Sequence, residues 1–397
     1  MESHTINQNK SRRDLDHNSS FLIPHFPLSL YVHIPFCASK CAYCDFASFP
    51  DREGDWKGYF EALWGEIDGW REALAGHEVA TVFFGGGTPT LVPVAYIAGT
   101  LERLRRAAPF AEDAEVTMEG NPGTLTPEKL RACRGAGVNR LSLGAQSFDD
   151  ALLRSLGRIH TARQIGEAVA MARAAGFENV SLDLMYALPG QTEAQWRDTL
   201  DAAVALGVEH ISAYSLIVEE GTPMAARVAS GAAVPPDDDA VNALQRLATR
   251  RLAEAGYGRY EISNYARPGR ACRHNQVYWD RGEYLGLGCA AHSLFDGCRF
   301  SNPASLDAYL AGDRRRDVRR LTPEDAMEET LMLSTRTARG LDLAAWRGEF
   351  GSEFSAGREA ALARLARAGY IAVEGGFLRL TERGMEVQDA VVLALLN

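Results

Sequence analysis

No stretch of this 397-residue chain is apolar enough to cross a bilayer; the longest apolar run near the C-terminus, Ala390 to Leu396, is far too short. The first 28 residues are polar and lack the apolar core of a secretory signal. A cationic surplus is missing too: 42 Lys and Arg stand against 52 Asp and Glu, a net charge of -10. That argues against nucleic acid as a partner, because displacing phosphate counterions needs a basic face. Cysteine is sparse, and three of the seven crowd into one loop. Such usage fits a reducing compartment where thiols stay free for metal, so the expected location is cytoplasmic. There is no internal repeat beyond an alternation of strand and helix patterns.

What is present is ordinary globular composition, 46% hydrophobic and 24% charged, with length for two or three units. Residues 1–27 are expected to be a disordered tail. From Leu28 onward, strand-length apolar runs alternate with amphipathic helical stretches. Strands are expected at Leu28 to Ile34, Val79 to Phe84, Ala114 to Glu119, Asn139 to Gly144, Asn179 to Leu184 and His210 to Leu216. Helices are expected at Trp56 to Ala75, Ala95 to Arg106, after Thr126-Pro127, at Thr161 to Ala174, Glu193 to Leu206 and Asp239 to Ala255. Six such units imply an α/β fold of parallel strands with helices outside, either a barrel or a doubly wound sheet. In both, polar residues just past the C-terminal strand ends form the site.

Residues 28–258 make up this unit, and 259–303 read as a linking segment. From 304 to 397 the pattern changes. Arg314, Arg315, Arg316, Arg319 and Arg320 form a basic patch, followed by helices at Pro323 to Thr335, Leu343 to Phe350 and Gly357 to Ala368. A hairpin from Tyr370 to Leu380 turns at Gly375-Gly376, so a smaller winged-helix-like domain is expected. Arg358, Arg364 and Arg367 on one of its helices are ordinary solvated-face content and do not argue for DNA.

The densest chemistry lies in Cys37-Ala38-Ser39-Lys40-Cys41-Ala42-Tyr43-Cys44. Thiolates are soft ligands, so this spacing suits an iron–sulfur cluster or zinc; a disulfide with a spare thiol is the plainer alternative. A closed site wants a fourth ligand, yet Phe46 follows and the next cysteine is Cys133. One metal position is left open. Gly85-Gly86-Gly87-Thr88 at the second strand end could be a tight turn or a place where backbone approaches a ligand. Glu119, Gln146, Arg158 and Asp183 fall at or near later strand ends and supply acceptors and a cation; each could equally be a helix cap or a paired charge.

The spacing C-x3-C-x2-C with Tyr43 before its last cysteine resembles the signature of radical S-adenosylmethionine (SAM) proteins. The resemblance implies a partial (β/α)6 barrel, a [4Fe-4S] cluster on Cys37, Cys41 and Cys44, and SAM on the fourth iron. It also implies SAM contacts from Tyr31, Tyr43, Gly86, Gly87, Thr88, Glu119, Gln146, Arg158 and Asp183. Together with Leu143-Gly144-Ala145-Gln146-Ser147-Phe148 and Asp183 to Gly190, these motifs are similar to the oxygen-independent coproporphyrinogen III oxidase-like family, from about Leu28 to the C-terminus.

Two features within that family point to the HemW-type heme chaperones. The oxidases carry another cysteine two positions after the third, where this chain has Phe46. His274-Asn275-Gln276-Val277-Tyr278-Trp279 matches the H-N-x-x-Y-W motif associated with heme binding in those chaperones. The resemblance implies that His274 helps hold heme for acceptor hemoproteins, with Tyr278 and Trp279 as flat apolar surface. Alone, a histidine beside aromatics is more often structural. Cys272 and His292 are further candidate ligands. The resemblance leaves a membrane-associated acceptor, a homodimer and SAM turnover open. The alternative function is the decarboxylase itself, with a transcriptional regulator behind it.

Overall fold

The computed structural model of this chain describes residues 27–396, so the expected tail lies almost entirely outside the described residues. Six strands, β1 (Leu28–Ile34), β2 (Val79–Gly86), β3 (Phe110–Gly120), β4 (Arg140–Gln146), β5 (Val180–Tyr186) and β6 (His210–Ser215), pair in chain order and in parallel. Helices α1 (Trp56–Leu74), α2 (Val94–Ala107), α3 (Pro127–Ala136), α4 (Asp150–Ser155), α5 (Ala162–Ala174) and α6 (Glu193–Ala205) fill the crossovers, and α7 (Pro223–Ala229) and α8 (Asp238–Glu254) follow β6.

Side-chain alternation explains why these strands support a site. Leu30, Val32, Val82, Phe84, Val116, Met118, Leu141, Leu143, Leu182 and Leu184 form one buried apolar set that packs in a common core with Tyr59, Phe60, Leu63, Ile67, Leu101 and Leu104 of the helices. Phe60 stacks on Tyr96 at 4.3 Å, locking α1 to α2. The alternate residues are polar: Ser29, Tyr31 and His33 on β1, Glu115, Thr117 and Glu119 on β3, Arg140, Ser142 and Gln146 on β4, Ser181 and Asp183 on β5. They point to the other face, which is the concave interior.

The stretch expected to link two domains belongs to this sheet. β7 (Gly258–Arg259) and β8 (Asn264–Ala266) add antiparallel strands beside β6. After α9 (Arg273–Trp279), β9 (Tyr284–Leu287) joins β1 in parallel, and β10 (His292–Phe295) and β11 (Cys298–Ser301) continue antiparallel. Beyond α10 (Leu306–Leu310), part of the arginine patch forms β12 (Arg316–Arg320), an outer strand of the same sheet rather than the start of the next domain. The twelve strands end at β7 and β12, so the sheet stays open, as a partial barrel should.

The smaller unit comprises α11 (Pro323–Thr335), β13 (Leu341–Asp342), α12 (Leu343–Phe350), α13 (Glu359–Arg367), β14 (Ile371–Glu374), β15 (Phe377–Leu380), α14 (Glu382–Met385) and α15 (Gln388–Leu396). It has its own core around Trp346, Phe354, Leu365 and Leu378. The hairpin turns where expected and carries β13 on its edge. Arg358 lies over Trp346 and Phe354 and donates to the Leu395 carbonyl, so it is a packing residue. Among the ion pairs that tie this unit to the barrel are Arg281 with Glu349, Arg336 with Glu261 at 2.9 Å, and Arg299 with Glu329 at 2.6 Å. Of these residues Glu329 is on α11, Arg336 is just past its end and Glu349 is on α12.

Candidate cofactor site

A cavity of about 410 Å³ opens at the C-terminal ends of the parallel strands. Its wall brings together Cys37, Cys41, Tyr43 and Cys44 from the loop after β1, Gly86, Gly87 and Thr88 after β2, Glu119 on β3, Gln146 and Arg158 from β4 and beyond, and Asp183 on β5. Of the sequence-derived candidates, Tyr31, Cys272, His274 and His292 are elsewhere. All three loop cysteines are free and partly exposed.

The loop is pinned on both sides. Its entry pairs with the glycine run: Gly87 N–H donates to the Ile34 carbonyl at 2.9 Å and Thr88 N–H to Phe36 at 2.7 Å. A Cβ on Gly87 would lie 2.6 Å from the Phe36 oxygen, and one on Gly86, whose φ is 103°, would overlap the His33 ring. These glycines are therefore required by close approach, not by a tight turn. At its middle, Ala42 N–H donates to the Leu156 carbonyl at 3.0 Å, and the Ala42 carbonyl accepts from Met224 N–H at 2.8 Å.

Burial raises the Cys37 and Cys44 thiols, opposed at Cys37 by the Thr88 hydroxyl 3.4 Å away and at Cys44 by the Phe46 backbone. Arg158 supplies one of the cavity's cations, with Nη1 donating to Cys41 Sγ at 3.5 Å and Nη2 to the Gly144 carbonyl at 2.5 Å. Its Nε is buried without a partner. Opposite stand two carboxyls. Ser142 donates to Asp183 at 3.0 Å, and Gly86 N–H donates to Glu119 at 3.1 Å. Burial, and then the neighbouring Asp183 charge, push Glu119 up to about 8. Burial also raises Asp183, against the Ser212 and Ser142 hydroxyls. Gln146 takes φ 64°, a strained conformation for a side-chain-bearing residue, and accepts from the Tyr214 hydroxyl at 2.8 Å.

Two expected site residues stand apart from this cavity. Tyr31 is half-buried and is not among the residues that line the cavity; its hydroxyl lies 3.0 Å from His33 Nδ1. His274 is 1% exposed on the barrel floor. Its Nδ1 is 2.7 Å from Thr81 Oγ1 and its Nε2 is 2.8 Å from the Tyr278 hydroxyl, and its ring stacks on Phe83. Thr81 donates onward to Ser29, so the arrangement assigns the proton to Nδ1 and leaves Nε2 accepting from Tyr278. Burial, helped by the Arg140 charge, lowers the ring to about 3, so it is neutral. Tyr278 is edge-on to Tyr284 and Trp279 lies under Arg336, so neither offers a bare plate for a porphyrin. Cys272 is buried with its thiol donating to Glu115.

The sequence reading missed Tyr214, Ser142 and Lys40 on the cavity wall. Strand alternation could have found the first two, since Ser142 shares a face with Gln146 and Tyr214 with Ser212. Lys40, inside the cysteine loop, carries no pattern that marks it.

A donor set of three free thiols, an incompletely satisfied guanidinium and two inward carboxyls on an open parallel sheet fits a three-thiolate iron–sulfur cluster beside a zwitterionic nucleoside. The site and fold together are those of a radical SAM protein. The family model of the radical SAM superfamily matches residues 31–203, and that of the HemN C-terminal domain matches 321–387. Coproporphyrinogen III oxidase (HemN) from Escherichia coli, a radical SAM enzyme, superposes with a TM-score of 0.81 at 27% identity over 93% of this chain and 90% of that one. The heme chaperone HemW of Mycobacterium tuberculosis (strain ATCC 25618 / H37Rv) is 38% identical over 94% of this chain and 96% of its own length. The Escherichia coli heme chaperone HemW is 41% identical over 67% of this chain and 70% of its own. This chain belongs to the family of the heme chaperone HemW.

Proposed function

We propose that the chain is a cytoplasmic heme chaperone that binds heme and passes it to acceptor hemoproteins, with a [4Fe-4S] cluster on Cys37, Cys41 and Cys44 and SAM in the same cavity. When bound, that pair supplies one-electron chemistry. The chain's own residues do the holding. Arg158 is placed to neutralise a carboxylate next to Cys41, and Glu119 and Asp183 to accept from ammonium or ribose hydroxyls. Gly86 and Gly87 let the backbone come close beside the loop, while Thr88, Gln146 and Tyr43 complete the wall.

The observation that carries the chaperone over the oxidase is Phe46. It stands at the cavity mouth, 63% exposed, where the decarboxylating relatives are expected to have a further thiol. An apolar plate in that place offers a surface to a porphyrin and no sulfur to the chemistry. The test is an anaerobic incubation of cluster-loaded protein with reductant, SAM and coproporphyrinogen III, run beside a hemin titration and transfer to an apo-hemoprotein. Hemin binding and transfer without decarboxylation is the expected outcome. Protoporphyrinogen formation at enzymatic rates would overturn the reading in favour of the oxidase.

A further inference from the structure

The short helix α9 has a different neighbour on each side. His274 and Tyr278, one turn apart, share its inner side, where Thr81 and Phe83 of β2 hold the His274 ring. Glu115 of β3 caps the same helix from within the barrel, accepting from Arg273 N–H and His274 N–H, both at 3.2 Å. Trp279 is turned most of the way round the helix from His274. There the C-terminal unit covers it, with the Arg336 guanidinium 4.7 Å from the centre of its ring. The next two residues are held by the same unit. Asp280 pairs with Arg339, while Arg281 donates through Nε to Thr330 Oγ1 at 2.9 Å and pairs with Glu349. α9 therefore cannot leave the barrel floor while the C-terminal unit stays in place.

That unit is built to come away as a body. Its buried apolar core is separate from that of the barrel. The ties to α9 are ion pairs, a cation–π contact and a hydrogen bond, all between groups that water satisfies once they part. Arg281 and Glu349 are buried together, and separating the units returns both to water instead of stranding one charge. The segment that carries α9 also has a joint at each end. Gly269 takes φ 73° with open space where a Cβ would stand, and Arg281 takes φ 51°, a left-handed conformation costly for a residue with a side chain. Arg281 keeps that conformation while Thr330 and Glu349 hold its guanidinium, so releasing the unit also releases the strain.

We propose that the C-terminal unit is a lid on α9, and that its displacement is the step that lets α9 swing off the barrel floor and present His274 to heme. The inference rests on the heme-chaperone reading for the identity of the ligand. It accounts for a motif histidine whose two ring nitrogens are both engaged. With the lid closed the ring fills the floor; with α9 swung out the Thr81 bond and the Phe83 stack are gone, and a ring nitrogen is left for iron. Uptake and release of cargo then follow the position of the lid.

The test compares full-length, cluster-loaded protein with two variants of equal charge change. Arg339→Glu sets a carboxylate against Asp280 on the exposed rim of the interface, and Arg347→Glu does the same against Glu353 within the C-terminal unit, away from α9. Hydrogen–deuterium exchange of the α9 amides reads the lid with no ligand present, and stopped-flow hemin association reads its consequence. Loss of an exposed ion pair shifts an opening equilibrium by about two- to fivefold. Arg339→Glu should raise both α9 exchange and hemin association by at least that factor, Arg339→Ala by less, and Arg347→Glu should match the wild type in both. Wild-type α9 exchange in folded Arg339→Glu and Arg339→Ala proteins would overturn the lid, as would faster exchange with unchanged hemin association, or an equal gain in Arg347→Glu. Faster α9 exchange in Arg339→Glu, with no hemin bound by any of the proteins, would keep the lid and remove the chaperone reading.

Discussion

Glu119 offers a measurable consequence of the site's electrostatics. Its carboxyl ordinarily ionises near 4.5 but in the folded protein is raised to about 8, first by burial and then by the Asp183 charge. A group raised on folding stabilises the native state fully below its unfolded pKa, and that contribution is lost as pH rises through the folded value. Stability should therefore fall between about pH 4.5 and pH 8. At about 1.4 kcal/mol per pH unit the whole window is worth roughly 5 kcal/mol. Glu119 is partly accessible from the cavity, so water moderates the effect to roughly 2–3 kcal/mol. Glu119→Gln keeps the shape, and its amide oxygen keeps the Gly86 hydrogen bond, without a titrating proton. Urea unfolding from pH 5 to pH 8.5 should show the variant gaining on the wild type steadily as pH rises. Parallel curves for the two proteins would refute the assignment of a neutral Glu119 at pH 7.

Two further perturbations test the frame around the site. Gly87→Ala forces a Cβ against the backbone oxygens of Phe36 and Ile34, and should cost about 1–3 kcal/mol in thermal unfolding and lower the iron content of reconstituted protein. Arg281→Ala removes the partner of Glu349 at the interface of the two units, and by urea denaturation should cost about 3–5 kcal/mol, most of which the double variant Arg281→Met with Glu349→Leu recovers.

The main elements were legible because each sequence signal was local. The six parallel strands lie where apolar runs of strand length stand, and the site residues at their ends follow from topology alone. The loop cysteines announce themselves by spacing. The start of β3 at Phe110 was not legible, since Glu112 and Asp113 are exposed there and break the apolar run. β9, β10 and β11 were missed for a different reason. Each is four residues long, and they earn their place through pairing with β1 and with one another, contacts that no short window reveals. β12 is exposed along its length, so its sequence shows no buried face and reads as a basic patch.

His274 shows the limit most clearly. Its spacing from Tyr278 puts both on one side of α9, and the sequence alone allows that side to face either a ligand or the core. What decides is Thr81, Ser29 and Phe83, drawn from strands some two hundred residues earlier, which occupy one ring nitrogen and one ring face while Tyr278 occupies the other nitrogen. To bind iron through Nε2 the ring would have to leave that stack, break the Tyr278 bond and open the barrel floor, giving up hydrogen bonds of buried polar groups. A motif so placed holds the floor beneath the cofactor cavity.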